Sequence, residues 1–140
     1  MAAAGSQLLT QYGVGLAFLA TVRADGGPRL HPMCPVLAEG GLYAFIVPSP
    51  KGRDLLRDGR YAMHAFAPKD VDDEFSVWGA ATSIGEGPLR DRLVDGYHDT
   101  LPDASTLFEF DVAHALLSRY RHRGDWPPSY TIWHEHPGEA

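Results

Sequence analysis

Apolar and polar residues alternate along this chain in short runs that glycine and proline cut off, the spacing expected of strands rather than long helices. Val14 to Arg23 is rich in small and apolar residues and ends at Asp25-Gly26-Gly27, a hairpin signal. Pro28 to Leu37 reads as the next strand, closed by Glu39-Gly40-Gly41, and Leu42 to Val47 as the third, stopped by Pro48. Arg60 to Phe66, Phe75 to Ile84, the extended Thr106 to Tyr120 and Ser129 to His134 complete the strand set. Three segments carry helical spacing instead: Ser6 to Tyr12, Lys51 to Asp58, and Leu89 to Tyr97, whose apolar Leu89, Leu93, Val94 and Tyr97 share one face. Six or seven strands with turns every ~8–12 residues and only short helices predict a mainly β fold, an antiparallel barrel.

Composition narrows the class. With 140 residues, 44% of them hydrophobic, residues 1–140 are expected to form one domain with a substantial core. No window approaches the ~18 uninterrupted apolar residues of a membrane span, and Met1 to Ser6 lacks the basic start and apolar stretch of a secretion signal. A single cysteine, Cys34, cannot form an internal disulfide, which fits a reducing cytoplasm. A net charge of −6 argues against nucleic acid as the main partner.

The most informative chemistry lies in Ser49-Pro50-Lys51-Gly52-Arg53-Asp54-Leu55-Leu56. A strand followed by Ser-Pro and an apolar pair reads as a helix opening at a sheet end. Such a start presents unpaired N–H groups and partial positive charge. Lys51 and Arg53 add two full charges, enough for a phosphate; the same letters also fit a helix start with solvated cations. Pro32 cannot donate to a ladder, so its strand is expected at an edge or interrupted there. Gly79 within a strand marks a close approach by a ligand or another chain, and Trp78 suits either a ring face or packing. His134 and His136 flank Glu135 near the chain's end, and no other cluster completes a metal site, so no metal is expected. His31 and His64 fall on strands as hydrogen-bonding residues, and Cys34 lacks the basic surroundings of a reactive thiol.

The order of these segments resembles the pyridoxamine 5′-phosphate oxidase-like, FMN-binding split β-barrels. The run Phe18-Leu19-Ala20-Thr21-Val22-Arg23-Ala24-Asp25-Gly26-Gly27-Pro28-Arg29-Leu30-His31-Pro32-Met33 is similar to their first hairpin, and Ser49 to Arg60 to their phosphate-binding helix and following strand. Glu74 to Ala81 is similar to their fifth strand, glycine included. The resemblance implies a homodimer with flavin mononucleotide (FMN) in a groove between subunits. It implies hydride transfer at the flavin N5 between a reduced nucleotide and a small-molecule acceptor. Position by position, Arg29, Leu30, His31, Pro32 and Met33 would line the flavin and its ribityl chain; beside the ring Arg29 would favour its anionic reduced form, and as a lone residue it equally suits a surface ion pair. Ala44 and Phe45 would lie alongside, Ser49, Lys51, Gly52 and Arg53 would form the phosphate region, and Trp78 would cover the ring.

Two departures qualify the resemblance. Ser49 stands where many members carry a basic residue. The end, Thr131 to Gly138, has no arginine after Trp133, so oxidation of pyridoxamine phosphate itself is not expected. Two alternatives stay open on the same fold. The deazaflavin F420 needs a long basic groove, which Arg119, Arg121, His122 and Arg123 would supply. A non-catalytic role, sequestering flavin or haem, needs no acid–base residue at all.

Overall fold

The computed structural model describes residues 2–10, 15–122 and 124–135. Local chemistry sets its first hairpin. Strand β1 (Ala17–Val22) turns through Asp25-Gly26-Gly27 into β2 (Pro28–Met33). Gly26 takes φ 86°, where glycine alone is unstrained, and the Asp25 carboxylate accepts from Gly27 N–H at 2.9 Å. The second hairpin joins β3 (Val36–Ala38) to β4 (Gly41–Ile46) with positive φ at both Glu39 and Gly40, the combination that matches the twist of paired strands.

The strand expected over Pro28 to Leu37 is in fact two strands. It breaks at Cys34-Pro35, and β2 and β3 run to opposite ends of the sheet, whose order is β2-β1-β5-β6-β7-β4-β3 with β8 paired to β7. The remaining strands are β5 (Arg60–Ala65), β6 (Glu74–Ile84), β7 (Thr106–Arg119) and β8 (Ser129–His134), and every pairing is antiparallel. Only two residues separate the sheet's end strands, so the sheet curls into a barrel that stays split between β2 and β3. Pro32 fits because β2 has a single neighbour, with Pro32 opposite Phe18.

Alternation along β6 buries Phe75, Val77 and Ala81 and turns Trp78, Ala80 and Thr82 outward. On β7 the inward set changes parity: Phe108 and Phe110 are buried, then Ala115 and Leu117. A bulge causes the switch. Trp78 pairs with His114 but Gly79 with Val112, leaving Ala113 as an extra residue. A Cβ on Gly79 would sit 2.1 Å from the Asp111 carbonyl oxygen. The close approach read from Gly79 is therefore made by the neighbouring strand.

Helix α1 (Ala2–Leu9) buries Leu9 against the barrel core, and it starts earlier than the expected Ser6. Tyr12 and Val14, included in the expected elements, lie outside the described residues. Helix α3 (Pro88–Asp95) covers a second, smaller cluster of Tyr43, Leu93 and Leu107 with Phe45 and Leu89. Between β4 and β5 sits α2 (Pro50–Arg57), which carries the candidate site.

Candidate functional site

Ser49 makes α2 begin where it does. Its extended backbone and hydroxyl form the N-cap: Oγ accepts from Gly52 N–H at 3.3 Å and donates to the Val47 carbonyl at 2.7 Å, with Pro50 in the first turn. The Arg53 N–H bonds the Ser49 carbonyl at 3.0 Å. The helix start is thus largely self-satisfied, unlike the open row of donors expected from the sequence, and the Lys51 N–H is what remains of it. Attraction for an anion falls mainly to side chains and to the helix dipole.

Those side chains are set apart from the other cations. Arg23, Arg29, Arg57, Arg60, Arg90, Arg92, Arg119 and Arg121 all pair with carboxylates. Among the described residues, Lys51 and Arg53 are the lysine and arginine side chains that engage no acid, ring or carbonyl. They diverge, because positions two apart on a helix point ~200° from one another. Lys51 lines a cavity of about 220 Å³ with Pro32, Met33, Ala44 and Phe45, while Arg53 is exposed outside it.

The cavity therefore unites five residues expected to act together, from β2, β4 and α2. It also includes Cys34, Tyr97 and the Leu101-Pro102 turn, which sequence reasoning did not place there. Tyr97 meets the edge of Phe45 at 5.3 Å, and the Arg90 guanidinium lies 5.7 Å from the centre of the Phe45 ring. Burial, with Cys34 and Asp99 nearby, raises the Tyr97 pKa and keeps the phenol protonated. Arg29, Leu30, His31, Ser49, Gly52 and Trp78 do not line this cavity. Leu30 is exposed on the β2 edge, and Trp78 stacks on His114 at 5.2 Å on the barrel's outer face, with His134 opposite His114 across β7–β8.

The Arg29 side chain is held by a carboxylate, the ion-pair reading of that residue. Asp54 is buried on the inward face of α2. Its Oδ2 accepts from Arg29 Nε at 2.6 Å and Thr21 Oγ1 at 2.8 Å, and its Oδ1 from Arg57 Nη2 at 3.2 Å. Burial alone would raise the Asp54 pKa; the donors from Arg29, Thr21 and Arg57 outweigh it and lower the value from 3.8 to about 2. A native carboxyl that holds its proton less tightly than the unfolded one stabilises the fold fully above the unfolded value. That contribution is lost as pH falls from ~4 toward ~2. Thermal midpoints across this window are expected to fall more steeply in the wild type than in Asp54→Asn. Parallel slopes would remove Asp54 from acid denaturation.

The basic run proposed for a longer cofactor is largely neutralised. Arg119 pairs with Asp73 at 3.4 Å and Arg121 with Asp125 at 3.0 Å; Arg123 lies outside the described residues, as does His136. Among the described residues no group of three or more His, Cys, Asp or Glu side chains is placed to hold a metal ion. No helix is long and apolar enough to cross a membrane.

No protein-family model matches the sequence, and no curated protein matches it. Solved structures do. A haem-binding protein of Mycobacterium smegmatis superposes with a TM-score of 0.66 at 17% identity, over 92% of this chain and 57% of that one. A candidate pyridoxamine 5′-phosphate oxidase of Listeria innocua gives 0.61 at 15% identity, over 79% and 91% of the two chains. HutZ, the haem storage protein of Vibrio cholerae, gives 0.54 at 16%, over 69% and 80%. With its sheet split between β2 and β3 and a short helix leading out of β4, this chain has the fold of the pyridoxamine 5′-phosphate oxidase-like split barrels.

Proposed function

We propose that this chain binds FMN and works as a flavin-dependent oxidoreductase, as a homodimer with the cofactor between its subunits. The observation that carries the reading is the unpaired Lys51, at the start of α2 and facing a cavity walled by β2 and β4. A phosphate dianion gains there from the lysine charge and from the helix dipole together. Pro32, Met33, Ala44 and Phe45 offer the apolar wall that a ring system requires. Arg29, Leu30 and His31 continue along the β2 edge, where main-chain groups have no strand on their outer side and can meet the polar rim of a flavin. Ser49 and Gly52 shape the turn through the cap, and Arg53 adds charge from outside the cavity. Trp78 has no part in this reading.

At about 220 Å³ the cavity is smaller than the ~300–1,000 Å³ of a complete ligand pocket, which supports a second subunit closing it. FMN, when bound, supplies the redox chemistry; the protein binds, orients and covers it. A reduced nucleotide and a small-molecule acceptor are the reactants proposed.

A second reading, haem binding without catalysis, is favoured by the exposed His114 and His134, whose rings lie 6.0 Å apart beside Trp78, and by the names of two structural neighbours. One experiment separates the two. The absorption spectrum of the purified protein, with the mass of any released cofactor, is expected to show flavin bands and FMN. A Soret band with released haem would transfer the assignment to the second reading. Protein that takes up neither on reconstitution would end both. F420 has less support than either, since Arg119 and Arg121 are already paired.

A further inference from the structure

Helix α2 is too short to hold its own direction in water, and it buries only Gly52, Asp54 and Leu55. Leu55 contributes apolar contact, which is not directional. Direction comes from Asp54, whose side chain is 3% exposed and takes charge-assisted hydrogen bonds from three elements. Thr21 reaches it from β1, Arg29 from β2 and Arg57 from the last turn of α2. The same Arg57 Nη2 donates to the Val22 carbonyl, closing the tie between helix and hairpin.

The two elements so joined are two walls of the cavity: β2 brings Pro32 and Met33, and α2 brings Lys51. Asp54 also sorts the cations. Arg29 and Arg57 are engaged by it, while Lys51, three positions earlier on the same helix, engages nothing. We propose that Asp54 is a positioning residue for the anion site: it fixes α2 against the β1–β2 hairpin and so sets the aim of Lys51 into the cavity. The inference rests on the FMN reading, in which the anion is the cofactor's phosphate.

The test compares FMN with riboflavin, which has the same ring system and no phosphate. The full chain and its Asp54→Asn variant are titrated with each flavin by fluorescence, with a thermal melt to confirm folding. Asparagine keeps the shape but loses the negative charge, and its amide nitrogen cannot accept the bonds that one carboxylate oxygen took. The FMN dissociation constant is expected to rise about tenfold, and that of riboflavin to stay within about twofold. Equal losses for both flavins would mean that the acid only holds the fold together, and unchanged FMN affinity would mean that α2 does not need it; either result overturns the inference. Should Asp54→Asn fail to fold, Thr21→Val keeps the charge and removes one donor, with a smaller, FMN-only loss of about two- to fivefold expected. No loss, or an equal loss for riboflavin, overturns the proposal there as well. Wild-type protein that binds neither flavin would sink the FMN reading and this inference together, whereas wild-type binding with indifferent variants would sink this inference alone.

Discussion

Lys51→Glu is expected to weaken FMN binding by about a hundredfold or more, the largest functional effect of any single change proposed for this chain. Removing a charge-assisted contact costs ~1.5–3 kcal/mol, so Lys51→Ala alone should lower affinity by about ten- to a hundredfold. Glutamate goes further, because it sets a negative charge against a phosphate dianion in the same cavity. Among the described residues the other nearby cations are engaged: Arg90, against Phe45, pairs with Glu86 and donates to the Ser105 carbonyl. Arg29 and Arg57 are committed to Asp54, and Arg53 is directed out of the cavity. Arg53→Ala should therefore have a smaller effect, within about fivefold, through longer-range attraction only. Lys51 is half-buried and its side chain makes no ion pair or hydrogen bond, so the variants should fold. Flavin-fluorescence titration checks the ranking. Lys51→Glu binding FMN as tightly as the wild type would remove the phosphate site from α2.

The largest structural effect is expected from Phe108→Ala. Phe108 is fully buried near the start of β7, opposite Ala44 on β4 and Ser83 on β6. Truncating a buried phenylalanine costs ~3–5 kcal/mol, the lost transfer energy plus the cavity left behind. For a chain of this length that corresponds to a melting midpoint lower by about 10–20 °C. Phe108→Leu, which restores most of the volume, should cost less than ~1.5 kcal/mol. The effect reaches function through β4. The strand that Phe108 anchors carries Ala44 and Phe45, which wall the cavity beside Lys51, so FMN affinity should fall in a folded Phe108→Ala sample. Urea denaturation measures the first effect and flavin titration the second. A loss below ~1 kcal/mol would mean that the core closes over the gap.

Much of the site was legible where chemistry and position coincide within a few residues. Ser49-Pro50 announced the start of α2 because both residues act locally, whereas the capping bond of the Ser49 hydroxyl, which closes part of the expected row of free donors, was not foreseen. Asp25-Gly26-Gly27 and Glu39-Gly40 announced hairpins because only certain residues tolerate positive φ. Lys51 could be singled out as a cation at that helix start. An ion pair was one of the two readings open for Arg29; its partner could not be named, since it lies on another element and Asp54 looks in sequence like one more charge on a polar helix. An acid at an inward position beside Leu55 was the one available signal. Periodicity put Tyr97 on the apolar face of a helix from Leu89, but α3 stops at Asp95 with Gly96 as its cap, and Tyr97 reaches the cavity from the turn beyond.

The strands repeat the lesson. The strand read over Phe75 to Ile84 is β6, and simple alternation describes its buried face, yet the same rule applied along β7 would put half its residues on the wrong side, because the bulge at Ala113 reverses the parity. Pro28 to Leu37 looked like one strand, and its division at Cys34-Pro35 follows from where each half finds a partner: β2 on β1, β3 on β4.

What the amino-acid order determined unaided was the set of local states: which runs extend, where they turn, where a helix starts with a lysine in its first turn. These depend on steric and hydrogen-bonding preferences that act over a few bonds. Which strands become neighbours, which arginines are consumed by Asp54, and that Lys51 rather than Arg53 faces the cavity were decided only by the folded chain. Pairing and burial are shared between segments distant in sequence, and their free energy exists only once both partners have met.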